Sequence, residues 1–278
     1  MNTKTNNRFE GYYYRHQKDG KTVALIPGIS GSGAFVQVIT DRRSYNFTFG
    51  DAFIGDEIHV GGCIFRKNSV HVDLPGIRGD IKYIGLTPVK RDVMGPFRFF
   101  PMECRHRVIS MRHNLSGSLS VDGEIYDFSG GTGYIEGDSG RSFPHRYLWL
   151  MSNDFPDGSS IMLSLAEIPF LGFRFNGCVC ILLSCGHEYR FATYHGVKIS
   201  TERNKIILRQ GKLRLEAEII SPGDEHSLSS PSSGMMTGII KEHNKAEIII
   251  HLFNREKEIH TLHSHYAGFE NCGFIKFQ

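Results

Sequence analysis

The feature that most constrains the fold is a recurring alternation of apolar and polar residues, interrupted by turn signals every ~8–12 residues. No long segment carries an apolar stripe with the period of a helix, and only residues 101–106 weakly indicate one. The sequence therefore predicts an all-β protein. The predicted strands are 22–26, 34–40, 45–49, 69–74, 81–86, 161–166, 178–183, 189–193, 205–208, 212–219, 238–241, 246–253 and 258–262.

Turns between these strands are predicted from pairs of residues that tolerate left-handed backbone. The pairs are Asp19-Gly20, Asp122-Gly123, Asp157-Gly158 and Asn176-Gly177. The chain contains 31 glycines, which suits many tight turns and strand bends.

A faint internal repeat relates the two halves. Aromatic residues at 12–14 precede Asp19-Gly20 and two strands, and aromatic residues at 147–149 precede Asp157-Gly158 in the same way. The offset is about 140 residues, which predicts two copies of one antiparallel meander, each curling into a small barrel. Coincidence between two hairpin-rich stretches is the alternative. We place the domains at residues 1–128 and 129–278.

Bulk composition limits the classes of partner. A chain of 278 residues with 40% hydrophobic and 22% charged residues is typical of a soluble globular protein. The net charge of +3, from scattered basic residues, argues against a nucleic-acid partner. Neither a secretory signal nor a spanning helix is predicted, so the expected location is cytoplasmic. A peripheral membrane contact and the oligomeric state are left open.

Cysteines and histidines raise the question of metal binding. The six cysteines have no regular spacing, and Cys178 and Cys180 are expected to be buried small hydrophobes rather than a metal or redox site. Among 14 histidines, His263 and His265 face one way and could bind a metal with a distant His or Glu. Because no supporting carboxylate spacing is apparent, solvent-exposed histidines are preferred and no metal is predicted.

The most unusual segment is 134–150, which combines acidic residues, glycines and aromatic residues. Tyr134, Glu136 and Asp138 are two apart, so in an extended segment they project to one face. Two neighbouring carboxyls disfavour each other's ionisation, which predicts that one stays protonated, whereas Arg141 opposes this. At the N-terminus, Glu10, Tyr12 and Tyr14 are likewise two residues apart, so in a strand they project to one face.

Four segments of the chain resemble the tocopherol cyclase family. Segment 134–144 reads Tyr-x-Glu-x-Asp-x-Gly and then Phe-Pro, before an aromatic strand that ends in Ser-Asn-x-Phe. Segment 9–14 is similar to the family's Phe-Glu-Gly-Trp-Tyr-Phe opening. The other two are Ser-Pro at 230–231 with Gly-Met-Met-Thr-Gly at 234–238, and Ala-Gly-Phe-Glu-Asn-Cys-Gly at 267–273. They follow in the family's order and span nearly the whole chain.

The resemblance implies two tandem lipocalin-like antiparallel β-barrels packed against each other, as in the related carotenoid hydratases. It also implies a reaction without a cofactor, in which an acid protonates an alkene in a prenyl tail and the phenol oxygen captures the tertiary cation. Such chemistry needs an acid held away from water, aromatic faces and an apolar slot. The expected ligand is an apolar small molecule, either a prenylated aromatic compound or an isoprenoid.

The family motif assigns the acids. Asp138 is the predicted proton donor, with Glu136 and Glu10 as further catalytic candidates. The predicted substrate-binding residues are Tyr12, Tyr14, Tyr134, Arg141, Tyr147 and Trp149.

Structural roles are the alternatives. Asp138 could cap a turn, Glu10 could pair with Arg15 or His16, and the aromatic residues could be core. Glu270 is either a second acid or a hydrogen-bond acceptor.

Two departures from the family pattern leave the activity open. Ser139 stands where the family has an aromatic residue, and Tyr12 where it has Trp. Hydration of a related alkene, or non-catalytic binding of an apolar lipid, therefore remain alternatives to ring closure.

Overall fold

The computed structural model describes residues 7–170 and 172–276. Within these residues two antiparallel sheets follow each other along the chain, with short 3-10 helices at Gly95–Phe99 and Thr193–His195. The first sheet contains β1 (Phe9–Lys18), β2 (Lys21–Ser30), β3 (Gly33–Thr40), β4 (Ser44–Phe49), β5 (Ala52–Ile54), β6 (Ile58–Val60), β7 (Cys63–Phe65), β8 (Ser69–Leu74), β9 (Ile77–Ile84), β10 (Cys104–Val121), β11 (Glu124–Asp127) and β12 (Thr132–Gly140). The second contains β13 (Tyr147–Ser152), β14 (Ser160–Phe170), β15 (Phe173–Ser184), β16 (His187–Ala192), β17 (Lys198–Glu202), β18 (Lys205–Gln210), β19 (Leu213–Ser221), β20 (Glu225–Ser232), β21 (Met235–Asn254) and β22 (Lys257–Cys272).

The strand order is the same in both sheets near their middle. The first runs β4-β3-β2-β1-β12-β10-β9, and the second runs β16-β15-β14-β13-β22-β21-β19. In each, the first strand of the sheet pairs with the last, and hairpins lead outward from that pair. The internal repeat read from the sequence is therefore present as a repeat of topology.

Each sheet wraps its own apolar core. The first core includes Leu25, Phe65 and Ile81, and the second includes Leu150 and Phe191, all at most 1% exposed. Alternate residues of one strand point to opposite faces, so half of each central strand faces this core. The all-β prediction is confirmed. Cys178 and Cys180 belong to the second core, as expected, and burial raises the pKa of both thiols.

Contacts divide the described residues into two compact units. The first unit comprises the residues up to Asp92 together with Pro101–Phe143 and Leu228–Ile239. The second comprises Val93–Phe100, Pro144–Ser227 and the residues from Ile240 onward. A division into two folding domains stays a proposal, and since β12 pairs with β1 and β10, we now place its boundary after β12 rather than after residue 128.

Most predicted turns are confirmed, and one is wrong. Asp19 and Asp122 have φ of 50°, and the glycines after them are also left-handed. Asn176-Gly177, in contrast, lies inside β15. A Cβ on Gly177 would come 2.3 Å from Ile168 Cδ1, so this glycine makes room for a side chain instead of reversing the chain.

The helix that the sequence weakly indicated at residues 101–106 does not form there. The 3-10 helix at Gly95–Phe99 ends before it, and Cys104 begins β10. Among the residues that the structure describes, no helix is long and apolar enough to cross a membrane.

Candidate functional site

The predicted acids lie on β12, in the middle of the first sheet between β1 and β10. Ile135 of this strand belongs to the apolar core, so Tyr134, Glu136 and Asp138 occupy the opposite face. The prediction that these three side chains share a face is confirmed. The Glu136 side chain is 5% exposed and that of Asp138 is 24% exposed.

A histidine that the sequence reasoning missed joins the two acids. His106 lies opposite Asp138 in the register of β10 and β12. Its Nδ1 is 3.0 Å from Asp138 Oδ1, and its Nε2 is 3.3 Å from Glu136 Oε2. One imidazole is thus held between two carboxylates on the same face of two neighbouring strands.

The surroundings of His106 favour its charged form. Burial lowers the pKa of this imidazole, but the carboxylates of Glu136 and Asp138 outweigh burial and hold its pKa well above the usual value. His106 is therefore protonated at neutral pH. A cation of this kind, with a carboxylate at each nitrogen, is a group that can take up or release a proton at a fixed position.

Tyr134 completes the group. Its hydroxyl donates a hydrogen bond to Glu136 Oε2. Burial, followed by the nearby charge of Glu136, raises the pKa of Tyr134 well above its usual value, so the phenol stays a donor. We call Tyr134, Glu136, His106 and Asp138 the acid–imidazole cluster.

Cys104 lies beside this cluster. Its Sγ is 3.7 Å from Asp138 Oδ1. Burial raises the pKa of the thiol well above its ordinary range, and the carboxylate of Asp138 adds to the effect. Cys104 is accordingly a neutral thiol and a weak donor rather than a thiolate nucleophile.

Arg141 is not the cation of the cluster. The residue is exposed, its amide donates to the Glu103 carbonyl, and its carbonyl accepts from the Gly234 amide at 2.6 Å. The expected balancing charge beside the two acids comes from His106 instead.

Glu10 lies on the other face of the same strands. In the register of β1 and β12, Tyr12 is opposite Gly137, and Tyr14 is opposite the core residue Ile135. Glu10 and Tyr12 therefore point to the core side, away from Glu136 and Asp138.

The partner of Glu10 is Arg107, not Arg15 or His16. Arg107 Nη2 lies 2.5 Å from Glu10 Oε1, and the Tyr12 hydroxyl donates to the same oxygen at 2.9 Å. The guanidinium also lies 4.6 Å from the centroid of the Tyr12 ring. Burial, with Glu10 adding to it, raises the pKa of Tyr12 to about 12. Tyr14 continues into the core, where it packs on Phe65.

Tyr147 and Trp149 belong to the second unit. Both are 7% exposed and lie on the face of β13 opposite to the core residues Leu148 and Leu150. The Tyr147 hydroxyl donates to Glu270 Oε2, and Trp149 is opposite Glu270 in register. Glu270 thus accepts a hydrogen bond, one of the two roles considered for it, in a Tyr–Glu pair that resembles Tyr134–Glu136.

Three of the four segments that resemble the tocopherol cyclase family meet at the end of β12. The Phe143 amide donates to the Pro231 carbonyl at 3.3 Å, and the Phe143 ring packs edge-on against Phe9 at 5.5 Å. The Gly234 amide donates to the Arg141 carbonyl. The residues that carry the resemblance are therefore neighbours in the first unit, although they are far apart in sequence.

The cluster could also be considered as a metal site. Atoms of His106, Glu136 and Asp138 that could serve as ligands lie within 4.8 Å of one another. Each ring nitrogen of His106, however, faces a carboxylate oxygen. The two carboxylates hold the pKa of this single imidazole well above its usual value, so a metal would have to displace a strongly held proton, and we assign proton chemistry to the cluster.

No protein-family model matches the chain, and no curated protein is significantly similar to it in sequence. Solved structures do match over nearly the whole chain. CghA with Sch210972 has a TM-score of 0.62 at 8% identity and covers 95% of this chain and 88% of its own. CghA in a second structure has a TM-score of 0.60 at 8% identity, with 98% and 93% covered.

A third match is kievitone hydratase from Nectria haematococca, with a TM-score of 0.51 at 10% identity and with 95% and 88% covered. Similarity at such identities shows the fold alone. The prediction of two tandem lipocalin-like barrels is confirmed, and membership of the tocopherol cyclase family stays a prediction.

Proposed function

We propose that the protein is an acid–base enzyme of the tocopherol cyclase type. Its reaction is the protonation of an alkene in an apolar small molecule, such as a prenylated phenol, followed by ring closure or addition of water. The observation that carries the proposal is the His106 imidazole held between Glu136 and Asp138. The four resembling segments support it, as does a fold shared with an enzyme named as a hydratase. The reaction requires no cofactor.

In this proposal His106 stores the proton and Asp138 delivers it. Asp138 is the more exposed of the two carboxyls, so it is the one that a ligand reaches. Transfer of a proton across the 3.0 Å contact from Nδ1 to Oδ1 converts Asp138 into a neutral carboxylic acid. A carboxylic acid is a stronger acid than an imidazolium, so it is the better donor to an alkene carbon.

The proton balance closes within the cluster. The alkene carbon gains the proton of Asp138, and the adjacent tertiary carbon becomes a cation. The phenol oxygen, or a water molecule in the hydration, adds to this cation and loses its own proton. That proton returns to Asp138 and then to His106, so the enzyme is regenerated and the net change is an isomerisation or the addition of water.

Glu136 and Tyr134 act as positioning residues in this scheme. The Glu136 carboxylate pairs with Nε2 of His106 through charge at 3.3 Å, without a hydrogen bond, and Tyr134 donates its hydroxyl to Glu136. This keeps Nδ1 directed at Asp138, as the carboxylate does for the imidazole in other proton-transfer groups. Tyr12 and Tyr14 project to the core side of β1, away from Asp138, so their predicted role at the substrate cation does not fit this scheme. For Tyr147 and Trp149, which belong to the second unit, substrate binding stays a prediction that this scheme does not use.

A non-catalytic binding protein for an apolar lipid is the second candidate. The observation that favours it is that the side chains of the acid–imidazole cluster contact one another. Structural ion-pair networks have this property as well. In that case the cluster stabilises the first sheet and takes no part in a reaction.

Turnover in deuterium oxide separates the two candidates. The protein is incubated with prenylated phenols and hydroquinones, and the products are analysed by mass spectrometry. Protonation by the cluster places one deuterium on the former alkene carbon. Because a general acid contributes about 10²–10⁴-fold, Asp138→Asn should lower turnover by at least about 100-fold and leave affinity nearly unchanged.

Asp80→Asn is the matched control. Asp80 also accepts from a histidine, His71 Nδ1 at 2.9 Å, but its side chain is 75% exposed, so turnover should be unchanged. A parent protein that binds these compounds without converting them is a carrier. An Asp138→Asn variant that matches the parent in turnover shows that the acid assignment is wrong.

A further inference from the structure

Glu247, His263 and His265 come together on β21 and β22 of the second unit. His263 Nε2 lies 2.7 Å from Glu247 Oε1, and His265 Nδ1 lies 3.5 Å from the same oxygen. The two imidazole rings are 4.2 Å apart between centroids. The three side chains are 34–59% exposed. The sequence pattern indicated the two histidines but no nearby carboxylate. In the folded chain Glu247 lies beside both of them.

The register of β21 with β22, next to a β-bulge, places these three residues together. Between the pairs Ala246–Ala267 and Ile248–Ser264 the register shifts by one residue, so Glu247 lies opposite both His265 and Tyr266. His263 is two residues before His265 and projects to the same face. Both imidazoles are consequently brought to one carboxylate, because the register of Ile248 with Ser264 and of Ile249 with His263 continues to place Glu247 beside His265.

The backbone that carries the histidines is held in place. Ser264, between them, is fully buried, and its Oγ bonds Ser152 Oγ at 2.8 Å. The His265 amide donates to Asp154 Oδ2 at 3.3 Å. The two imidazoles therefore project from a fixed strand, so little ordering of the backbone is needed when a ligand binds.

We propose that Glu247, His263 and His265 form a binding site for Zn²⁺. Two imidazoles and one carboxylate are ligands that zinc prefers, and three protein ligands leave one tetrahedral position for water. In such a site the ligand atoms are about 3.4 Å apart, given bonds of about 2.1 Å to the metal. The ligand atoms here already lie within 4.8 Å of one another, so side-chain rotations suffice to close the site.

Binding exchanges protons for the metal. In the metal-free site an imidazole N–H of His263 donates to Glu247, and zinc takes the place of that proton. Both histidines must bind through an unprotonated nitrogen, so the affinity falls as the pH is lowered. The site is separate from the acid–imidazole cluster, and its test involves no substrate.

Isothermal titration of the full chain with Zn²⁺ tests the proposal. The parent should bind one equivalent more than the triple variant in which Glu247, His263 and His265 are each changed to Gln. Each single change should weaken this site by more than the about 10–100-fold that loss of an outer partner costs. The affinity should also be lower at pH 5.5 than at pH 7.5.

His251→Gln is the matched control. His251 also contacts a glutamate, Glu258, on the same strand pair, with Nδ1 2.5 Å from Oε1. Among the residues that the structure describes, no second histidine pairs with that carboxylate. This variant should bind zinc like the parent. Equal stoichiometry in the parent and the triple variant overturns the proposal, and so does an equal loss in His251→Gln.

Discussion

The imidazole of His106 and the carboxylate of Asp138 are cross-strand partners whose Nδ1 and Oδ1 atoms lie 3.0 Å apart. Directly opposite residues in an antiparallel pair bring their Cβ atoms to about 5 Å, so the register of β10 and β12 alone places the two groups in contact. Glu136, two residues before Asp138, reaches the other nitrogen from the same face. A single register thus assembles an acid, an imidazole and a second acid.

Removal of the imidazole should destabilise the protein. His106→Gln leaves two largely buried carboxylates side by side, and the free energy of unfolding in urea at neutral pH should fall by about 3–5 kcal/mol. The pKa of His106 in the folded state lies above its unfolded value. Its stabilising contribution is therefore complete below about pH 6.5 and is lost as the pH rises through the folded pKa.

A second substitution distinguishes charge from packing. In the His106→Gln background, Glu136→Gln removes one of the two repelling charges and should restore part of the lost free energy. If the single variant loses less than about 1 kcal/mol, the cluster behaves like an exposed ion pair and the assigned burial of its charges is wrong.

Acid should weaken the first core through two other histidines. His16 and His113 lie in that core beside Tyr83, with His16 Nε2 2.8 Å from the Tyr83 hydroxyl. Burial lowers the pKa of His16 to about 4 and that of His113 to about 3. The unfolded chain binds these protons at higher pH, so stability is complete above about pH 6.5 and falls as the pH drops toward 4. His16 alone accounts for about 3 kcal/mol.

Unfolding free energies measured between pH 7 and pH 4 check this dependence. His113→Gln removes one of the two titrating groups and should make the loss with falling pH shallower. His71→Gln, which changes an exposed histidine, should leave the slope as it is in the parent. A parent slope equal to that of His113→Gln would show that the imidazole of His113 is not held neutral by burial.

What could be predicted from sequence was local. The shared face of Tyr134, Glu136 and Asp138 follows from the two-residue period of a strand, and the turns at Asp19 and Asp122 follow from left-handed backbone. Both depend on residues that are close along the chain, and both are confirmed.

The remaining features depend on pairing between distant segments. His106 meets Asp138 only because β10 pairs with β12, and two register shifts in this pairing interrupt the alternation that would have marked β10 as one strand. The separation of Glu10 from Asp138 onto opposite faces likewise depends on the register of β1 with β12. Registers of this kind are set by the packed core and the bulges, which no local pattern contains.

Gly234 should be intolerant of a side chain. Its φ is +81°, and a Cβ there would lie 2.1 Å from the carbonyl carbon of Asn7. Gly234→Ala should lower the free energy of unfolding by more than about 1 kcal/mol, because it combines backbone strain with a clash. Gly123→Ala is the control for strain alone, since Gly123 has a φ of +85° and its Cβ would meet nothing within 4 Å. Equal losses in the two variants would mean that the close approach of residue 234 to Asn7 contributes nothing.

Glu10→Gln tests which face of the first sheet is reactive. Glu10 and Arg107 are 35% and 43% exposed, and a pair of this kind contributes about 0.2–1 kcal/mol, so both stability and turnover should change little. Glu57→Gln, which breaks a similarly exposed pair with Arg66, is the matched control.

Asp138→Asn, measured in the same assay, should lose at least about 100-fold in turnover. If Glu10→Gln loses as much as Asp138→Asn while Glu57→Gln loses nothing, the reaction takes place on the core side of β1, where Tyr12 and Arg107 meet Glu10, and the acid–imidazole cluster on the other face is structural.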